Sequence, residues 1–375
     1  MRIESVRALP LLATLDEPQR TGVATFSQMA ATLVEVRSDT GLVGYGECLA
    51  RYSPRIWAAI VEDLLAPLVV GADPFDTEAL WGRMFRDLRS LSGHSRGMLV
   101  EGLAGVDTAL WDLKARALGV PLHALLGGAV RTRLPAYASS VMVRERRQME
   151  ADAAALVEHG FRAIKIKVGT GVGEDAANVR AIRRVVGDRV DLMLDANGAF
   201  RAAEAIDLAH RVQDLRIAWF EEPVVADDLE GYERIRAATS IPLAAGEAEF
   251  TRFGVRTLLD RRVIEILQPD VARAGGISET RKIIDLASAH HVAYAPHVGF
   301  SAAVCVAATL HLAAAAPNFL TYECIYTTNP LREALTVAPV GGPGQLIDGQ
   351  IPVPGGPGLG IDLDPDAVAR YRVVW

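Results

Sequence analysis

Three carboxylates, Asp195, Glu221 and Glu247, stand 26 residues apart, and each follows a short apolar run. Leu192-Met193-Leu194 leads into Asp195, Ile217-Ala218-Trp219-Phe220 into Glu221, and Leu243-Ala244-Ala245-Gly246 into Glu247. A buried strand that ends in acid points its chemistry out of the end of a sheet. Oxygen donors from three successive units could share one hard cation, and the absence of cysteine or histidine among them favours Mg²⁺ over Zn²⁺. Without a cation, three gathered carboxylates would raise one another's pKa. The bland alternative is an acid that caps its strand and pairs with a nearby arginine. Glu222 is the awkward neighbour. Side chains alternate along a strand, so Glu221 and Glu222 cannot face the same cation unless the strand has ended. Glu221 is therefore assigned to the metal, and Glu222 and Asn197 to its surroundings.

Lys165-Ile166-Lys167 puts two ammonium groups on one face of a strand, with Ala163, Ile164, Ile166 and Val168 arguing for burial. Burial and a second cation nearby both lower a lysine's pKa, which is how a lysine becomes a base near neutral pH. The alternative is a pair of surface lysines on an edge strand. Asp270 and His297 end two further apolar runs. A carboxylate beside an imidazole fixes its tautomer and favours the protonated form, giving an acid/base pair; a lone histidine there would read as a core residue. Glu323 ends the last run.

These residues need a scaffold that brings distant strand ends together. Apolar strand candidates fall at 134–139, 163–168, 190–195, 217–221, 242–247, 263–270, 292–297 and 319–323, with amphipathic helices such as 145–159, 175–186 and 202–215 between them. Eight strands alternating with helices predict an α/β fold, a parallel barrel whose active site lies at the strands' C-terminal ends. An open doubly wound sheet would want a Gly-rich turn after its first strand, and Ala138-Ser139-Ser140-Val141 is not one. Residues 1–128 read differently: a hairpin at 33–47, then helical periodicity around 56–64, 80–88 and 103–113, ending at Gly119 and Pro121. This is an α+β domain capping a barrel of residues 129–339. The Gly/Pro-rich strip 340–375 is expected to leave the barrel and return to the cap.

The formal net charge is −7, with dispersed basic residues, so nucleic acid is not an expected partner. No signal segment or membrane span is visible, and Cys48, Cys305 and Cys324 sit singly in apolar settings as small core residues, which suits a cytoplasmic protein.

In the order and spacing of Lys165-x-Lys167, Asp195-Ala-Asn197, Glu221-Glu222-Pro223, Gly246-Glu247, Gln268-Pro269-Asp270 and Pro296-His297, the chain resembles the enolase superfamily, mandelate racemase subgroup, over nearly its whole length. The resemblance implies a modified TIM barrel, (β/α)7β, with an N-terminal α+β capping domain. It also implies one Mg²⁺ on Asp195, Glu221 and Glu247, and abstraction of the proton α to a carboxylate through an enediolate. By the same resemblance, Lys165 neutralises the substrate carboxylate and Lys167 stands over one face of the α-carbon. His297, oriented by Asp270, stands over the other, and Glu323 hydrogen-bonds the enediolate.

Loss of a β-hydroxyl would make the enzyme an acid-sugar dehydratase, the first expectation. Return of the proton would make a racemase or epimerase, and loss of a ring oxygen a lactone cycloisomerase. Leu33–Ala50, 328–332 and 356–360 also resemble galactarolactone cycloisomerases. A metal-dependent barrel hydrolase and a non-catalytic binding protein fit less well, for want of a histidine-rich site and because the acid/base residues are intact. The expected substrate is a sugar acid or its lactone. Its specificity is expected from loops at 16–29 and 48–54, with Arg20, Ser27, Arg51 and Tyr52 as polar candidates, and from Ser139 and Ser140. By analogy with the family, the chain is expected to form a homo-oligomer.

Overall fold

The computed structural model describes residues 1–93 and 96–373; His94 and the last two residues of the C-terminal strip lie outside the described residues. The chain begins with three antiparallel strands in the order β1 (Ile3–Arg20), β2 (Thr25–Ser38) and β3 (Val43–Cys48). One face of this sheet packs on the helix Met98–Ala117, with Val34, Val36, Cys48, Leu103, Val106 and Leu110 fully buried between them. The approach is so close that a Cβ on Gly46 would lie 1.9 Å from the Gly105 carbonyl oxygen, and one on Gly44 2.2 Å from that of Ala109. Only glycine lets strand and helix backbones meet this way.

β1 corrects the sequence reading, which placed a loop over residues 16–29. Only residues 21–24 form the turn. The pairing of β1 with β2 shifts register between Thr14 and Gln19, and Asp16, Glu17 and Pro18 are exposed there. Two exposed acids and a proline at an irregularity conceal the strand.

The barrel strands are β4 (Arg133–Val141), β5 (Ala163–Lys167), β6 (Asp191–Asp195), β7 (Ile217–Glu221), β8 (Leu243–Ala245), β9 (Ile266–Leu267), β10 (Ala293–Tyr294) and β11 (Tyr322–Ile325). They pair in parallel in the order β10-β9-β8-β7-β6-β5-β4-β11. A parallel bridge between Tyr294 and Phe319, with Leu320 N–H donating to the Tyr294 carbonyl at 2.8 Å, joins the two ends. Seven crossover helices follow the first seven strands: Arg146–Glu158, Val172–Val186, Ala202–Val212, Leu229–Ala238, Thr251–Asp260, Gly276–Ala289 and Ala303–Ala315. This is the (β/α)7β arrangement. β8, β9 and β10 are shorter than their apolar runs, because the chain leaves the ladder early; Asp270 instead caps the short helix Val271–Ala274, accepting from Ala272 N–H at 2.8 Å.

Cap carboxylates hold the barrel helices by their amino ends. Glu47, at the end of β3, accepts from Ala302 N–H (2.7 Å) and Cys305 N–H (2.8 Å), and Asp107 accepts from Ser278 N–H (2.8 Å) and Oγ–H (2.6 Å). Negative charge is favoured at a helix N-terminus. Burial nevertheless pushes both acids up, each to about 7. The strip after residue 340 pairs Gln350–Pro352 with the start of β4, then returns to the cap: Leu359 N–H donates to Asp112 and Val373 N–H to the Pro10 carbonyl. All three cysteines are buried and free. Among the described residues no helix is long and apolar enough to cross a membrane.

Candidate active site

The barrel interior is built in layers, because side chains two residues apart on a strand share a face. Tyr137, Met193, Trp219, Ala244, Ile266 and Ala295 form an apolar layer, in which the Tyr137 and Trp219 rings meet edge to face at 5.2 Å. Two residues further along, the same faces carry Ser139, Asp195 and Glu221. The ladders align Lys167 with Asp195 and Asp195 with Glu221. The apolar layer is the floor, and the ionisable groups stand on it.

Lys165 is 1% exposed, and its ammonium donates to Glu221 (2.8 Å) and Glu323 (2.7 Å), with Asp195 at 3.5 Å. Lys167 donates to Asp195 and, at 3.0 Å, to Asn197 Oδ1. The second oxygen of Glu221 accepts from Gln268 Nε2 (2.7 Å) and Trp219 Nε1 (3.1 Å). Glu323 also accepts from Ser139 Oγ (2.8 Å) and Val298 N–H (2.7 Å), so both its oxygens are engaged. His297 Nδ1 lies 2.8 Å from Asp270, and its Nε2 lies 3.2 Å from Glu247.

Charge follows from these contacts. Burial opposes the Lys165 ammonium, but Glu221, Glu323, Tyr137 and Asp195 outweigh it and hold its pKa well above the ordinary lysine value. The expectation of two mutually depressed lysines fails for Lys165, because its neighbours are carboxylates. Burial, then repulsion from Asp195, pushes Glu221 up to about 7, and burial with Glu247 and Asp195 pushes Glu222 well above the usual range. Burial likewise opposes ionisation of Asp195 and Glu323, but the lysines beside them hold both below it. Burial opposes the charge on His297 too, yet Glu247, Glu323 and Asp270 raise it to about 9.

Beneath the β1–β2 turn lies a cavity of about 340 Å³. Lys167, Asn197, Glu222, Glu247, His297 and Glu323 line it, while Lys165, Asp195, Glu221 and Asp270 are buried behind that lining. β7 ends at Glu221, and Glu222, with φ 37°, turns toward the cavity. Ser139, Ser140, Arg51 and Tyr52 also line it. Arg20 and Ser27 do not. They are exposed, and alternation along β1 gives the inward place to Gln19, whose amide donates to the Thr328 carbonyl at 2.7 Å. The sequence reading gave no site role to Arg273, bound to Glu101 at 3.0 Å, or to Arg332 of the segment 328–332, which stands on the helix Pro330–Ala334 and whose charge burial disfavours. Tertiary placement alone makes these two cavity residues, and Gln19 follows a register shift that no local alternation reveals.

As they stand, no three His, Cys, Asp or Glu side chains among the described residues surround a common point as metal ligands would. The two ammonium groups occupy the ground between the acids. The donor set still fits a hard divalent cation: Asp195, Glu221 and Glu247 offer only carboxylate oxygens, and Glu221 is crowded by like charge.

Residues 4–127 match the mandelate racemase / muconate lactonizing enzyme N-terminal domain, and residues 148–367 match an enolase C-terminal domain-like model. The chain is 37% identical over 384 residues to a D-galactarolactone cycloisomerase of Agrobacterium fabrum, covering 100% of this chain and 99% of that protein. It is 32% identical over 348 residues to an arabinonate dehydratase of Saccharolobus solfataricus, covering 92% and 91%. The solved 3,6-anhydro-D-galactonate cycloisomerase of Zobellia galactanivorans superposes with a TM-score of 0.90 at 32% identity, covering 100% of both chains.

Proposed function

Because the chain belongs to the mandelate racemase / muconate lactonizing enzyme family of the enolase superfamily, an enzyme family of lyases and isomerases, we propose that it eliminates a β-oxygen from a sugar acid after removing the proton α to the carboxylate. The observation that carries this reading is that Lys167 and His297, from β5 and from the loop after β10, line one cavity, with Asp270 behind the imidazole.

In this mechanism Lys167 Nζ takes the α-proton, and the electron pair moves into the carboxylate to form an enediolate. Lys165, fixed by Glu221 and Glu323, keeps a positive charge beneath that growing negative charge. Asp270 accepts from Nδ1–H and leaves Nε2 to present a proton to the cavity. His297 gives that proton to the β-hydroxyl as the C–O bond breaks, so water leaves and the enol product rearranges to a 2-keto-3-deoxy acid. A divalent cation on Asp195, Glu221 and Glu247, with Mg²⁺ the expected ion, would add Lewis-acid stabilisation of the substrate carboxylate.

A second reading uses the same residues: a lactone ring oxygen leaves instead of hydroxide, and no water is lost. Likeness to a cycloisomerase along the whole of both chains supports it. The deciding experiment incubates the protein and Mg²⁺ with a library of aldonates, aldarates and their lactones in D₂O, followed by mass spectrometry. Loss of water with α-deuterium exchange supports the dehydratase, and an isomeric product supports the cycloisomerase. An absence of both exchange and product across the library would overturn the proposal.

A further inference from the structure

Arg332 is 6% exposed and lines the cavity, and its Nη1 has no hydrogen-bond partner. Of the other two guanidinium groups lining the cavity, Arg273 is paired with Glu101 at 3.0 Å, while Arg51 is ion-paired with Glu247 at 3.6 Å although its Nε and Nη2 make no hydrogen bond. Arg332 enters no salt bridge among the described residues. A buried cation without a partner is costly, and the cost is offset when a ligand brings the opposite charge. The position is built rather than accidental. Asn329 caps the short helix by accepting from the Leu331 and Arg332 N–H groups, and Gln19 ties the preceding loop to the cap hairpin. Arg332 therefore stands on the side of the cavity served by β11 and the hairpin, with β4 between β11 and β5, the strand that carries Lys167.

We propose that Arg332 is a second anion subsite, and that the substrate is a dicarboxylic sugar acid or its monolactone, held at one end by the proton-transfer machinery and at the other by this guanidinium. The proposal rests on the sugar-acid reading above. A planar guanidinium offers a carboxylate two parallel N–H donors, which a hydroxymethyl end group cannot match. In the monolactone case, removal of the α-proton by Lys167 breaks the β C–O bond. The electron pair then leaves on the former ester oxygen, so the second carboxylate is freed beside Arg332.

The test compares a matched diacid and monoacid, galactarate and galactonate, together with the galactarate monolactone, which keeps a free carboxylate, in the parent, Arg332→Gln and Arg332→Lys. The parent is expected to favour the diacid series by tenfold or more in kcat/KM. Arg332→Gln should lose at least tenfold on that series, change the monoacid less than threefold, and be partly rescued by Arg332→Lys. Calorimetry with glutarate and butyrate reads the subsite without turnover: glutarate should weaken tenfold or more in Arg332→Gln, with butyrate unchanged. Equal losses for diacid and monoacid, or glutarate binding indifferent to Arg332→Gln, would overturn the subsite. Glutarate binding that depends on Arg332 in a protein inert to every sugar acid would sink the reaction assignment and leave the subsite standing.

Discussion

Asp270→Asn separates the two proton-transfer groups. Asp270 makes two kinds of contact: one oxygen accepts from Ala272 N–H at 2.8 Å and the other from His297 Nδ1 at 2.8 Å. Asparagine keeps a carbonyl oxygen for one of them and matches the volume, so the fold should survive. What disappears is the charge that fixes the imidazole. A charge-assisted hydrogen bond of this kind is worth about 1.5–3 kcal/mol, which at ~1.4 kcal/mol per decade converts to roughly 10- to 150-fold in rate. Loss of the correct tautomer can carry the effect further, toward ~10⁴-fold. The sign of the pH effect also follows. His297 is raised to about 9 against the effect of burial, by Glu247, Glu323 and Asp270 together. Removing Asp270's charge should therefore move the basic limb of the elimination profile to lower pH by roughly one unit. The assay is steady-state elimination from pH 6 to 10, with α-deuterium exchange measured in parallel. Elimination should fall while Lys167-dependent exchange continues. Equal loss of both activities, or an unmoved basic limb, would refute the division of labour between Lys167 and His297.

Gly46→Ala should destabilise the protein by on the order of 3 kcal/mol, because its Cβ meets the Gly105 carbonyl. Gly82→Ala, on a helix where the added Cβ would meet only the flexible end of Arg86 at 3.9 Å, should be neutral or stabilising by about 0.5–1 kcal/mol; urea midpoints compare the two. Asp107 is raised to about 7 from an unfolded value near 3.8, so the native state holds its proton longer. Its stabilising contribution is complete below pH ~4 and is lost as pH rises through 7, falling by about 2 kcal/mol between pH 5 and 7. Asp107→Asn should flatten that slope in denaturation curves taken at several pH values. Mg²⁺ at 100 times its dissociation constant should stabilise the fold by about 2.7 kcal/mol. Asp195→Asn should abolish this thermal shift, and a shift that survives would move the metal elsewhere.

Much of the scaffold could be read from the chain because barrel strands advertise themselves. An apolar run ending in Asp195, Glu221 or Glu247 at a constant step already implies one mouth, and the period-two spacing of Lys165 and Lys167 places both inside. Asp270 and His297, 27 residues apart, meet at 2.8 Å because β9 and β10 are adjacent. Other features were out of reach. Whether Lys165 faces another cation or three acids depends on register between strands, which no single segment encodes. β1 was concealed by the exposed residues Asp16, Glu17 and Pro18 at a register shift. Arg332 looks like an ordinary helical arginine until the hairpin and the last strand close around it.

The central claim is that Lys167 removes a proton α to a carboxylate in this cavity. The most direct measurement is Mg²⁺-dependent deuterium incorporation at the α-carbon of sugar acids, followed by proton NMR in D₂O for the parent and Lys167→Ala. The account predicts exchange in the parent on at least one sugar acid, and none above background in Lys167→Ala with its fold intact by circular dichroism. Exchange at the parental rate in Lys167→Ala would contradict it.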